Sequence, residues 1–169
     1  MVKQQKENGF SLIELLIVVA IILIIAAIAI PNLLRARIAA NAASAVGSVR
    51  TLNTAEIVYT VSYGTGFANL ANLGGPVSCV AAAATACLID PVLTAGTKSG
   101  YVVAAVPATG AGTILSPFLT FEDNATPISV TTGTLAFCSD QSGVIRYNLT
   151  GTAIGTATGS CAAVVTILQ

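Results

Sequence analysis

The sequence contains no histidine and no tryptophan, and charged side chains make up only 8% of its 169 residues. Without histidine, a serine or cysteine nucleophile lacks its commonest general base. The carboxylates that follow residue 60 are scattered among residues typical of turns, at Asp90, Glu122, Asp123 and Asp140. Because no catalytic constellation is recognisable, the sequence predicts a protein that is not an enzyme and that needs no cofactor.

An excess of charge of one sign is also missing, since seven basic residues balance seven acidic ones. Proteins that bind nucleic acid by charge carry a clustered basic patch. Beyond residue 30 the basic residues are few and mostly far apart, at Arg35, Arg37, Arg50, Lys98 and Arg146. We therefore predict no nucleic-acid partner.

The sequence also lacks a tight acidic cluster of the kind that binds calcium. Glu122 and Asp123 together with Asp140 are the one combination that deserves consideration, but a solvated turn is the simpler interpretation. The triplets Asn124-Ala125-Thr126 and Asn148-Leu149-Thr150 have the form of glycosylation acceptors. Such triplets are common by chance, so we predict no metal site and treat both triplets as ordinary surface.

The most prominent feature present is an apolar run over residues 10–30, FSLIELLIVVAIILIIAAIAI, interrupted only by Ser11 and Glu14. A helix of this length would reach about 30 Å, the thickness of a bilayer's hydrocarbon core. The preceding leader, residues 1–9, carries Lys3 and Lys6 against Glu7. By the positive-inside tendency, the leader stays in the cytoplasm and the C-terminus lies outside.

A secretory signal peptide is the alternative interpretation of this run, because Ala27-Ile28-Ala29 has the form of a cleavage site. The mature chain would then begin at Ile30. Two features oppose it: the unbroken apolar stretch over residues 15–30 is longer than a usual signal-peptide core, and Glu14 adds an insertion cost near its front.

Glu14 is the one misfit in the apolar run. An ionised side chain at the centre of a membrane helix costs about 2.5 to 3.5 kcal/mol on insertion scales, and less toward an end, so such a residue indicates a function and a partner. A cut after Gly9 would create an α-amine on Phe10, one helical turn from Glu14. The amine of the same or a neighbouring copy could neutralise Glu14, which would favour ordered assembly. The alternative is a carboxylate that snorkels to the headgroups.

The helical pattern continues beyond Pro31 to about Tyr63, and Gly64 and Gly66 end it. A proline inside a helix removes the bond to the carbonyl four residues back, so we expect one long helix that is kinked at Pro31. With the exception of Glu56, residues spaced three or four apart form an apolar stripe that needs a partner surface: Leu34, Ile38, Ala42, Ala45, Val49, Leu52, Glu56, Tyr59 and Tyr63.

The remaining chain changes from a helical to a strand-like period. Residues 67–100 are predicted to be irregular, with turn signals such as Gly74-Gly75-Pro76. Short strands separated by turns then predict an antiparallel meander, one face of which covers the helix stripe. The strands are predicted at 101–106, 118–121, 128–130, 135–138, 144–148 and 164–168. The fold class is α+β with one dominant helix.

Four cysteines all follow the membrane segment. An even number in a small domain without a C-x-x-C motif indicates disulfides in an oxidising compartment, although buried reduced thiols are the alternative. Three connectivities are open. We favour Cys79 with Cys87 and Cys138 with Cys161, because each pair closes one local loop.

The N-terminal sequence KQQKENGFSLIELLIVVAIILIIAAIAIPNLLRAR resembles that of bacterial type IV pilins and pseudopilins. The resemblance covers about forty residues, and GFSLIELL before a long apolar run is highly specific. It implies cleavage after Gly9 and N-methylation of Phe10 by a prepilin peptidase, and polymerisation into a helical filament. It also implies a lollipop fold, a helix that opens around Pro31, and a Cys138–Cys161 disulfide that bounds the C-terminal region. Many pilins have a second helix-bending proline where this chain has Thr51, so a second bend is not expected.

This resemblance predicts a major pilin that forms type IV pilus filaments. It would sit in the bacterial inner membrane as a precursor, with the prepilin peptidase and the pilus assembly machinery as partners, and then in an extracellular homopolymer. The alternatives are a type II secretion pseudopilin or minor pilin, and a membrane-anchored or secreted binding protein that does not polymerise. The expected divisions are the leader 1–9, the membrane and filament-core helix 10–30, the amphipathic helix 31–63, the connecting region 64–100 and the sheet 101–169.

Overall fold

The structure, a computed structural model, describes residues 10–164 and 166–168. The predicted leader, including Gly9, lies outside the described residues. Eight elements follow in chain order: α1 (Leu12–Tyr63), α2 (Leu70–Leu73), α3 (Pro91–Thr94), β1 (Thr97–Lys98), β2 (Tyr101–Ala108), β3 (Thr120–Pro127), β4 (Ala136–Asp140) and β5 (Arg146–Asn148).

Helix α1 is 52 residues long and confirms the predicted dominant helix. It ends at Tyr63, before Gly64 and Gly66, whose φ angles of 68° and 83° suit glycine and stop the helix. Helical structure continues through Pro31, and the bend at that residue stays a prediction. It also continues through Thr51, whose hydroxyl donates to the Gly47 carbonyl at 3.0 Å.

The chain forms two compact units, which divide between Ala36 and Arg37. The first unit contains the N-terminal part of α1, and its described apolar side chains are exposed almost throughout. The second unit contains the rest of α1 and all other elements. Within the described residues, the hydrophobic core therefore lies in the second unit.

The five strands of the second unit form one sheet in the order β1-β2-β3-β4-β5. Each neighbouring pair is antiparallel, as a meander with short connections requires. In the longest pairing, Tyr101 lies opposite Pro127 and Ala108 lies opposite Thr120. The α+β class and the antiparallel sheet predicted from the sequence are confirmed.

One face of the sheet packs on α1. Side chains alternate across a strand, and the buried residues Tyr101, Val103 and Ala105 of β2 share this inner face. From Ala42 onward, the predicted stripe supplies the opposing surface of the core, with contributions from Ala45, Val49, Leu52 and Tyr59. Leu34, at the start of the predicted stripe, is exposed and outside this core. Leu52, fully buried, adds about 1.5 to 3 kcal/mol relative to an exposed leucine.

The opposite face of the sheet is covered by the segment after β5. Ile154 and Cys161 from this segment pack on Ala136 and Cys138 of β4 in a second, smaller cluster. Cys161 is joined to Cys138 by a disulfide, and Cys79 is joined to Cys87. Strands β3 and β4 are consequently buried on both faces.

Three predicted strands differ from the observed ones. The segment 118–121 becomes β3, which starts at Thr120 and extends to Pro127, through residues read as a turn. Residues 128–130 are not a strand, because Ser129 and Thr132 form a turn of their own in which the Thr132 hydroxyl donates to the Ser129 carbonyl at 2.9 Å. In the predicted strand 164–168, from which Val165 is not described, Ile167 makes an isolated bridge to Arg146.

The region 67–100 is more ordered than predicted. Asn69 caps α2 through a side-chain bond from the Asn72 N–H, and Asp90 caps α3 by accepting from the Leu93 N–H at 2.8 Å. Asp90-Pro91 is an N-cap followed by proline at the first helical position, a recognisable start signal. The expectation of irregular structure was wrong here because the dipeptide was read only as a turn.

Removing the Cys138–Cys161 bond should destabilise the second unit by about 3 kcal/mol, because it closes a loop with a sequence separation of 23 residues. The test is urea unfolding of the full chain in detergent, comparing the double variant Cys138→Ala and Cys161→Ala with the wild type. The matched control, Cys79→Ala with Cys87→Ala, removes the disulfide that closes the smaller loop, with a sequence separation of 8 residues. This variant should lose about 2.5 kcal/mol of unfolding free energy. A Cys138–Cys161 variant as stable as the wild type would contradict this account.

Candidate functional site

The N-terminal unit presents an apolar surface over its described length. Leu12, Leu23 and Ile30 are exposed, as are nearly all their apolar neighbours. None of the 18 most apolar consecutive residues of α1 is buried. Among the described residues, α1 is the one helix long and apolar enough to cross a membrane. Such a surface requires lipid or protein around it.

Glu14 lies in the first turn of this helix. The Ser11 N–H donates to Glu14 Oε2 at 2.9 Å, and the Leu15 N–H donates to the Ser11 carbonyl at 3.2 Å. Ser11 precedes the first helical residue, so Glu14 is at the third position and reaches back to the cap, as in a capping box. The carboxylate also lies at the positive end of the helix dipole.

This capping contact was missed from the sequence, although Ser11-x-x-Glu14 is its recognisable signal. The role predicted for Glu14 rests on its charge alone and does not include this contact. Phe10 is 85% exposed and lies immediately before the cap. Its nitrogen is bonded to Gly9, which is outside the described residues, so the predicted pairing of an amine with Glu14 stays a prediction.

The second unit contains a buried carboxylate that anchors the C-terminal segment. Glu122 is 1% exposed, and its Oε1 and Oε2 accept from the Gly159 N–H at 2.6 Å and the Cys161 N–H at 3.0 Å. Burial raises the pKa of Glu122, while the two backbone bonds lower it and the charge of nearby Asp140 raises it. Glu122 therefore fixes the segment that the Cys138–Cys161 disulfide also holds.

The structure separates Asp123 from the other two acids considered for calcium. Glu122 and Asp140 are cross-strand partners on one face of the sheet, whereas Asp123 pairs with Ser139 and points to the opposite face. No group of three acidic, cysteine or histidine residues suited to a metal occurs within residues 10–164 and 166–168. All three acids are buried, so their interpretation as a solvated turn was wrong.

The two glycosylation-like triplets also differ from expectation. Asn124 is only 4% exposed, and its amide donates to the Gly155 carbonyl at 3.3 Å. Asn148 is half-buried and donates to the Thr152 carbonyl at 2.8 Å. Neither asparagine is ordinary surface, because both amides hold the loop that follows β5.

Comparisons with known proteins concern the N-terminus. A family profile described as the prokaryotic N-terminal methylation motif matches residues 4–30. The chain is 71% identical over 34 residues to the type IV wide pilus major component PilA4 of Thermus thermophilus. That match covers 20% of this chain and 26% of the relative. No solved structure matches. The resemblance of the N-terminus to type IV pilins is confirmed.

The Glu122→Gln variant should lose about 1.5 to 3 kcal/mol of unfolding free energy, because one carboxylate that accepts two backbone bonds is replaced by an amide with a single acceptor. Urea unfolding measures the loss, and hydrogen exchange at Gly159 and Cys161 should accelerate. Asp140→Asn is the matched control, since it keeps an acceptor for the Ser142 N–H and should cost less than about 1 kcal/mol. Equal losses and unchanged exchange would show that Glu122 is not the anchor.

Proposed function

We propose that this chain is the major structural subunit of a type IV pilus, cleaved after Gly9, methylated on Phe10 and polymerised through its N-terminal helix. The observation that carries this proposal is the match of residues 4–30 to the N-terminal methylation motif, together with the exposed apolar N-terminal part of α1. The similarity of 34 residues to a named pilus component supports it. The proposed role is structural and involves no reaction catalysed by this chain.

The first step is membrane anchoring and processing. The apolar run of α1 holds the precursor in the inner membrane, with the basic leader in the cytoplasm. Phe10 and Ser11 are exposed at the start of the helix, which suits access by a prepilin peptidase. Cleavage would replace the Gly9–Phe10 peptide bond by an amine, adding a positive charge one turn from Glu14.

The second step is transfer of the helix from lipid to the filament core. Lipid chains are as apolar as leucine, so the hydrophobic effect supplies little drive for this transfer, and packing and polar contacts must supply it. Small residues at Ala26, Ala27 and Ala29 allow close approach of helices. Glu14 paired with an amine of a neighbouring copy would supply the polar contact and fix the register.

The second unit would form the filament surface. Its two disulfides suit an oxidising environment outside the cytoplasm. The edges of the sheet are formed by β1, of two residues, and β5, of three residues. Short edge strands limit uncontrolled pairing between sheets, which suits a domain present at high local concentration.

Mass spectrometry of chain recovered from cells should show a mature protein that begins with N-methylated Phe10. Replacing Gly9 with a bulky residue should leave the leader attached, because the peptidase must reach this bond. A mature protein that begins at Ile30 would instead identify a secretory signal peptide and overturn the proposal.

The Glu14→Gln variant separates the charge of Glu14 from its capping role, because glutamine can still accept from the Ser11 N–H. We expect normal membrane insertion and no filaments in electron micrographs of sheared cells. Glu14→Leu should give the same result, and Glu14→Asp, which keeps the charge, should retain part of the filament yield. Normal filaments from Glu14→Gln would exclude charge pairing.

Short periplasmic filaments seen only when the wild type is overexpressed would indicate a pseudopilin.

A further inference from the structure

Two carboxyl groups are fully buried between α1 and the sheet. Glu56 and Asp123 are each 0% exposed, and neither takes part in the N-terminal machinery described above. Glu56 occupies a position in the stripe that is otherwise apolar. Asp123 lies on the inner face of β3, between Phe121 and Ala125.

Strand register and one side-chain bond place the two acids at the same level of the core. Asp123 lies opposite Ser139 of β4, and the Ser139 hydroxyl accepts from the Asn53 amide at 2.9 Å. Asn53 precedes Glu56 by three residues and therefore shares its side of α1. Asn53, Glu56, Asp123 and Ser139 thus converge where the helix crosses the sheet.

These acids have few hydrogen-bond donors. Glu56 Oε2 accepts from the Ala68 N–H at 2.8 Å. The buried oxygens without a hydrogen-bond partner include Glu56 Oε1, both carboxylate oxygens of Asp123, and Asn53 Oδ1. An ionised carboxylate in such surroundings is far costlier than a neutral carboxylic acid, which can also donate its own proton to an acceptor.

No cation among the described residues compensates these acids. Arg50 is exposed on α1, and Lys98 pairs with Asp90 at 3.1 Å. Arg146 pairs with Cys138 in the ladder, which places it on the other face of the sheet, where it donates to the Val164 carbonyl at 3.4 Å. Arg35 and Arg37 are exposed.

The surroundings of Glu56 and Asp123 raise the pKa of both acids and so favour their neutral forms. Burial raises the pKa of Glu56 to about 8, against a smaller lowering by the Ala68 N–H. Burial also raises the pKa of Asp123 well above its usual range, and the charges of Glu56 and Glu122 raise it further. Tyr59, the next titratable residue along the buried side of α1, donates its hydroxyl to the Ala83 carbonyl.

We propose that Glu56 and Asp123 form a proton-operated lock: α1 packs stably on β3 while both acids are neutral, and the loss of either proton weakens that packing. The lock belongs to the second unit and does not depend on filament formation. An ionised Asp123 would meet no donor and a neighbouring acid. An ionised Glu56 would keep only the Ala68 N–H, so opening should begin where the segment after α1 joins the core.

The direction of the pH dependence follows from proton binding. Both acids bind protons more tightly in the folded chain than in the unfolded chain, where their pKa values are about 4. The stabilising contribution is therefore complete below about pH 4 and is lost as the pH rises toward the folded values. Each acid should raise the unfolding equilibrium constant by up to about tenfold per pH unit across its window.

The test compares urea unfolding of the full chain in nonionic detergent from pH 4 to pH 8. The side chains introduced by Asp123→Asn and Glu56→Gln cannot ionise. Each variant should therefore reduce the pH dependence of the unfolding equilibrium constant by up to about tenfold per pH unit, and the double variant should show both reductions. The variants should match the wild type near pH 4 and exceed its stability at pH 8. Asp90→Asn is the matched control, because its capping and its pairing with Lys98 lower the pKa of Asp90 and its loss should not change the slope above pH 5.

Infrared spectroscopy provides a readout that does not require unfolding. The wild type at pH 6 should show a carboxylic-acid C=O stretching band, and the intensity of this band should be lower in Asp123→Asn. A stability slope in the double variant equal to that of the wild type, or absence of that band, would overturn the lock. If calcium or magnesium chloride restores at pH 8 the stability that the wild type loses above pH 4, and does not stabilise Asp123→Asn, the pair binds a cation and the proposal is wrong. Glu122, whose pKa is also raised, contributes a slope common to all these variants.

Discussion

The packing of α1 on the inner face of the antiparallel sheet is the contact on which the second unit depends. Leu52 and Val49 are fully buried there, and the meander brings β2, β3 and β4 side by side beneath them. Because the C-terminal segment covers the opposite face, β3 and β4 have no solvent side. Polar residues on these strands are therefore forced into the interior, and each needs its own partner or must stay neutral.

The two parts of α1 meet this constraint differently. From Ala45 to Tyr59 one side of the helix is buried and the other is exposed, as in an ordinary amphipathic helix. Over residues 15–30 the helix is apolar all round and buries almost nothing. A helix with that composition needs an apolar environment on every side, which in the proposed function a bilayer would provide first and a bundle of identical helices later. In the proposed filament, Glu14 would distinguish these two environments, because a neighbouring copy can supply a charged partner and lipid cannot.

Buried acids in the second unit show how strongly the surroundings decide the role of a side chain. Glu122 and Asp123 are adjacent in sequence, yet they point to opposite faces of β3. Glu122 meets two backbone N–H groups and anchors the C-terminal segment. Asp123 meets no donor and lies near Glu56. One acid therefore acts as a hydrogen-bond acceptor for a loop, and the other acts as a neutral group within a core.

The sequence by itself determined the long helix, the apolar stripe, the α+β class and the resemblance of the N-terminus to type IV pilins, because periodicity and a short local motif carry that information. It also contained the capping signals at Ser11 and Asp90, which local rules suffice to recognise. Only the tertiary structure decided the extent of β3 and the burial of Glu56, Glu122 and Asp123. Burial on both faces removes the alternation of apolar and polar residues by which a strand is recognised. Polar residues in such a strand are then easily interpreted as a turn. Which face is covered depends on segments more than thirty residues away, and local sequence does not encode that contact.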